Sequence, residues 1–145
     1  MTWTAIGQLT AMTIAIPVAL VTWVAFLGPP PLEIREMALV GHEGGALKGE
    51  TISFSTKSFK PPWAGKFCTA TSGSMMMIDA ESVIRQSALV VNWNDGSYQG
   101  ATIPVMVTTG TATGPEKFGI VATYECFGFN RTIRGPWVTA SIKDR

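Results

Sequence analysis

From Ile6 to Leu27 the chain runs for 22 residues without a charge, and Gln8 is the one strongly polar side chain among them. At about 1.5 Å per residue such a run spans about 33 Å as a helix, enough for the hydrocarbon core of a bilayer. Trp3 near one end, and Trp23 with Phe26 near the other, stand where interfacial aromatics sit. Pro17 falls mid-run, where membrane helices tolerate it, and Gly28-Pro29-Pro30-Pro31 ends the helix because prolines cannot continue it. Residues 29–49, rich in Pro and Gly and without an apolar period, read as a linker.

From Glu50 the pattern changes to period two, with Ile52 and Phe54 alternating with Thr51, Ser53 and Ser55. Pro61-Pro62 breaks that strand, and Lys66 to Thr71 begins the next. Met75 to Ile78, the turn Asp79 to Ser82, and Val83-Ile84 suggest a hairpin. Ala88 to Trp93 is a further apolar run, closed by the turn residues Asn94-Asp95-Gly96. Thr102 to Thr108, Phe118 to Phe127 and Thr132 to Ile142 complete the series. The expected architecture is therefore mainly β: a transmembrane anchor over 1–28, a linker over 29–49, and an antiparallel β-sandwich over 50–145.

Charge sharpens this division. All 11 Lys and Arg and all 10 Asp and Glu lie at Glu33 or beyond. The low overall charge of 14% thus reflects the 32 uncharged residues before Glu33, and the charge of the remaining chain is ordinary for a small β-rich domain. A cleaved signal peptide is the competing reading of the N-terminal run. The absence of Lys or Arg before it, and of a small-x-small cleavage pattern ahead of the prolines, favours an uncleaved span. Gly7, Ala11, Ala15 and Ala19 recur every fourth residue, forming a ridge of small side chains along one face of the helix. The ridge points to packing against other transmembrane helices, in a homo-oligomer or a larger complex. A net charge of +1 offers no basic footprint for nucleic acid. The expected partners are membrane lipid, other helices and an unidentified protein.

Enzyme constellations are scarce, and a non-enzymatic role without a cofactor is expected. The single histidine, His42, lies in the linker and reads as solvated, away from any Ser or Cys nucleophile. One His with Cys68 and the run Met75-Met76-Met77 falls short of a blue-copper ligand set, and the methionines are expected to alternate between core and surface. Zinc, haem, phosphate-loop and calcium-loop patterns are missing. Asp79 and Glu81 flank a turn and read as solvated. Binding is left to the surface, where Trp63, Tyr98, Arg131, Arg134 and Trp137 form a candidate interface near the loops. The rival reading is that Trp63 and Trp137 fill the ends of the sandwich.

Cys68 and Cys126 fall on two predicted strands, and Tyr124 precedes the second in a Tyr-x-Cys arrangement. This resembles the tyrosine corner of immunoglobulin-like sandwiches, with Cys68 on a B-like and Cys126 on an F-like strand. The resemblance implies a disulfide between them, and with it a β domain on the non-cytoplasmic side of the membrane. It is incomplete, since the expected tryptophan soon after the first Cys is missing and Trp93 comes much later. Two reduced, buried cysteines in an unrelated β fold are the alternative. The weak positive-inside signal of Arg35 and Lys48 points the other way on orientation.

The layout as a whole also resembles small membrane-anchored proteins of tailed bacteriophages. The matching residues are Lys48, Gly49, Glu50, Ile52 and Phe54, then Cys68, Ile78-Asp79, Tyr124-x-Cys126 and Asn130-Arg131. The resemblance implies a structural or accessory subunit of a phage particle or cell envelope. Two other roles fit the same layout: a regulatory or superinfection-exclusion factor, and an accessory subunit of an energy-transducing membrane complex.

Overall fold

The computed structural model describes residues 3–89 and 99–144. The expected strand Ala88 to Trp93, the turn Asn94-Asp95-Gly96 and Tyr98 therefore fall wholly or largely outside the described residues. The apolar run forms one helix, α1 (Trp3–Thr22), continued by a π-helical turn over Trp23–Leu27. The stretch Gly7–Leu27 is long and apolar enough to cross a membrane. Two threonines within it are answered locally: Thr13 and Thr22 donate to the carbonyls of Leu9 and Val18 at 2.8 and 2.7 Å.

Nine strands and one short helix follow among the described residues. They are β1 (Glu33–Val40), β2 (Ala46–Leu47), β3 (Thr51–Phe59), α2 (Ala64–Phe67), β4 (Cys68–Ile78), β5 (Ile84–Ala88), β6 (Gln99–Met106), β7 (Gly114–Cys126), β8 (Phe129–Arg134) and β9 (Val138–Lys143). One sheet has the order β1-β3-β6 and is antiparallel. The other has the order β2-β9-β7-β4-β5, with β8 also paired to β7 and the short β2 running parallel to β9. The protein is thus mainly β with one apolar N-terminal helix.

The sheets meet through their alternating positions. On β3, Ile52 and Phe54 are fully buried, and on β7 Phe118, Ile120, Ala122, Tyr124 and Cys126 all turn inward. The Phe54 and Phe118 rings lie 4.9 Å apart and join one sheet to the other. Met75 and Met77 are buried while Met76 is half-buried, as the alternation on β4 requires.

Three boundaries differ from the sequence reading, each for a local reason. Residues 33–40, expected within the linker, form β1 and pair with β3 from Ser53 to Phe59. A bulge between Ile34 and Glu36 puts the buried Ile34 and Met37 three residues apart, which erases the period-two signal. The run Lys66 to Thr71 begins as the last part of α2 and becomes extended only at Cys68. The single strand expected over Thr132 to Ile142 is two, β8 and β9, both lying along β7. Pro136, which has no amide proton, interrupts the ladder, while the Gly135 amide donates to the Ile120 carbonyl at 2.9 Å. Trp137 then folds over Gly119, where a β-carbon would stand 2.8 Å from the indole.

The two cysteines are bonded, and they sit directly opposite each other on β4 and β7, with α-carbons 4.2 Å apart. The bridge therefore links neighbouring strands of one sheet. In an immunoglobulin-like sandwich the B–F bridge pins one sheet to the other, and here it does not.

Candidate functional site at the helix exit

The C-terminal end of a helix leaves carbonyl groups without donors, and the prolines at 29–31 supply none. Here one side chain answers them. The Arg131 guanidinium, carried on β8, donates to the carbonyls of Val24 at 2.9 Å, Pro29 at 3.1 Å and Gly28. The positive charge sits where the helix dipole is negative, so charge and hydrogen bonding act together. Burial against these groups lowers the affinity of the guanidinium for its proton. Gly28 admits the arrangement because its amide closes onto the Trp23 carbonyl at 2.6 Å. A β-carbon there would stand 2.7 Å from the Trp23 ring.

Aromatic side chains surround this clasp. Trp23 faces Trp63 with ring centres 5.5 Å apart, and Phe26 meets Phe129 edge-on at 5.1 Å. Val24, Ala25 and Leu32 are buried against the β domain, whereas Phe26 and Leu27 are 55% and 77% exposed. Arg35 lies 4.7 Å over the Phe59 ring nearby. The helix consequently joins the β domain through a packed collar rather than a free linker.

Of the residues singled out from sequence, Trp63 and Arg131 meet in this collar. Arg131 is committed to holding the helix, and Trp63 is half-buried against Trp23. Arg134 is exposed on β8 opposite Val121, and Trp137 covers Gly119, so neither joins the collar. Tyr98 lies outside the described residues. Gly7, Ala11, Ala15 and Ala19 are all exposed along α1. His42, expected to be solvated, is half-buried with Nδ1 3.5 Å from a Glu50 carboxylate oxygen.

The other end of β7 holds acidic residues whose environment the sequence did not reveal. Asp79, expected in solvent, is 5% exposed because its carboxylate organises the β4–β5 turn. It accepts from the amides of Glu81 and Val83 at 3.0 Å each, from Arg85 at 2.8 Å and from the Ala112 amide at 3.3 Å. The Arg85 contact holds its pKa down at about 2, against the opposing effect of burial. Glu116 is 1% exposed, and its Oε2 has no partner among the described residues. Burial, reinforced by the nearby Asp79 charge, raises its pKa to about 7. Its position two residues before Phe118, on the same inward parity as Ile120 and Ala122, was the signal that would have found it.

The two shifts have opposite consequences. Asp79 contributes stability above its ordinary pKa of 3.8, lost as pH falls toward 2. Glu116 binds its proton more tightly folded than unfolded, so stability declines as pH rises from 4.5 through about 7. In E116Q the decline between pH 5 and pH 8, followed as the urea midpoint, is expected to disappear. An unchanged slope would show that Glu116 is not its source.

A cavity of about 150 Å³ opens beside the β4 bulge, lined by Ala70, Ser72, Gly73, Leu89 and Tyr124. Burial raises the Tyr124 hydroxyl to a pKa of about 12, and it too lacks a partner among the described residues. No group of three or more His, Cys, Asp or Glu able to hold a metal ion occurs among the described residues. Comparison with known proteins finds no family model that matches the chain and no curated protein with significant similarity to it.

Proposed function

We propose that the protein is a non-catalytic, single-span membrane subunit of a larger assembly in a phage particle or cell envelope. Its β domain is held in a fixed attitude on the bilayer by the Arg131 clasp. That clasp is the observation on which the reading rests: three carbonyls at the helix exit converge on one guanidinium, a junction suited to holding the domain at one angle to the anchor. A tether that only retains a domain near a membrane needs no such junction. A rigid one suits a part that must present a surface in register with its neighbours.

The ridge of Gly7, Ala11, Ala15 and Ala19 supplies the contact within the membrane, since small side chains let helix backbones approach closely. The Cys68–Cys126 bridge supports a β domain on the non-cytoplasmic side, because such bonds persist in oxidising compartments.

The test is purification from the native membrane or particle in mild detergent. A stoichiometric assembly is expected. Its size should fall to that of a lone chain when Ala11 and Ala15 are both replaced by leucine, with membrane insertion retained. Recovery of the unaltered protein as a free monomer would defeat the proposal.

A further inference from the structure

The β7–β8 hairpin turns through only two residues, Phe127 and Gly128, between the paired Cys126 and Phe129. Both have positive φ, 51° and 81°. Glycine takes this geometry freely, and asparagine is the usual companion; a bulky aromatic residue resists it. Phe127 is nevertheless held there, braced by the disulfide on the residue before it. The core does not explain the choice, for Phe127 is 41% and Phe129 47% exposed.

The surroundings indicate what the turn faces. Phe129 meets Phe26 of the helix exit, while Phe127 lies 5.3 Å from Phe67. Exposed apolar surface thus continues from Leu27 and Phe26 onto the hairpin tip. Depth agrees with this. The stretch Gly7–Leu27 spans about 30 Å, the thickness of the hydrocarbon core, and ends at Leu27, so the hairpin beside Phe26 lies where the helix leaves that core. Tryptophan favours that boundary, its apolar body and polar N–H both satisfied, and Trp23 marks it here; the wholly apolar Phe127 and Phe129 rings suit the acyl-chain side of it.

We infer that the Phe127-Gly128-Phe129 tip is a second membrane contact, resting in the phospholipid interface next to the helix and fixing the tilt of the β domain. The inference builds on the single-span reading and adds to it a lipid-binding surface on the domain itself. Lipid is the occupant because the patch is continuous with the helix side chains that leave the bilayer.

The full-length protein, labelled with 4-fluorophenylalanine and placed in phosphatidylcholine–phosphatidylglycerol nanodiscs, provides the test. Resonances are assigned from single Phe→Leu variants. A lipid carrying a spin label at acyl carbon 5 is expected to broaden Phe127 and Phe129 about threefold more than the buried Phe54 and Phe118. Broadening of Phe127 and Phe129 by a water-soluble paramagnetic agent instead, with Phe26 still responding to the lipid, overturns the inference while leaving the anchor intact. A Phe26 that also ignores the lipid label overturns the single-span reading and this one with it. In F127N, whose asparagine suits the left-handed turn, the disulfide and circular dichroism should be unchanged and lipid broadening at Phe129 should fall by about half. A turn residue serving folding alone would leave Phe129 unaltered.

Discussion

Replacing Cys68 and Cys126 together by alanine is expected to lower the unfolding free energy of the β domain by about 4 kcal/mol, the chain-entropy value for a bridge across 58 residues. For a domain of ordinary stability, about 5–15 kcal/mol, that is a large share. Urea unfolding of the protein, oxidised and reduced, measures it. The midpoint should move strongly, and the reduced wild type should match the double variant. The loss has a place as well as a size. Cys126 ends β7 and fixes the start of the two-residue turn into β8, the strand that carries Arg131. Reduction should therefore loosen the collar before it loosens the Phe54–Phe118 contact between the sheets. A change below about 1 kcal/mol would mean that ladder pairing of β4 with β7 alone holds the domain.

Arg131→Met is expected to cost about 3 kcal/mol at the junction, since charged hydrogen bonds are worth about 1.5–3 kcal/mol and carbonyls at the helix exit lose their donor. The methionine keeps much of the length and apolar stem, so packing is not the main loss. On the single-span reading the variant should still insert into membranes, because α1 is untouched, but Trp23 should separate from Trp63. Cross-linking between residues placed at these two positions reads that separation directly. R131K should fall between the two, since a lysine ammonium lacks the planar fork that reaches several carbonyls at once. Cross-linking as efficient with R131M as with Arg131 present would show that the Phe26–Phe129 contact and the buried Val24 and Ala25 hold the junction without the guanidinium.

The apolar helix and most strands were legible because each is written in a local pattern: an uncharged run for α1, alternation for β3 and β7. Where the period is broken locally, the sequence misleads. The bulge at Ile34–Glu36 hid β1 inside an apparent linker, and Gly135-Pro136 divided what looked like one strand. Cys68 and Cys126 were identifiable as a pair, but their placement on adjacent strands of one sheet depends on the whole topology.

The collar was legible only in pieces. Trp63 and Arg131 were marked as candidate surface anchors, yet their partners belong to the helix exit: Trp23 for Trp63, and for Arg131 carbonyls between 102 and 107 positions upstream. No window on the sequence relates a guanidinium to backbone carbonyls at that distance. Glu116 was more accessible, since its parity with Phe118 already turned it inward.

The distance between Arg131 and Val24 also sets an order of events during synthesis. At about 5–20 residues per second, a ribosome needs about 5–20 s to travel from Val24 to Arg131. On the proposed reading, the helix reaches the bilayer during that interval with its exit carbonyls still uncapped. The β4–β7 bridge awaits Cys126, which precedes Arg131 by only a few residues. Seating of the domain on its anchor is therefore a closing step of biogenesis. A nascent chain halted before β8 would be inserted but unclasped.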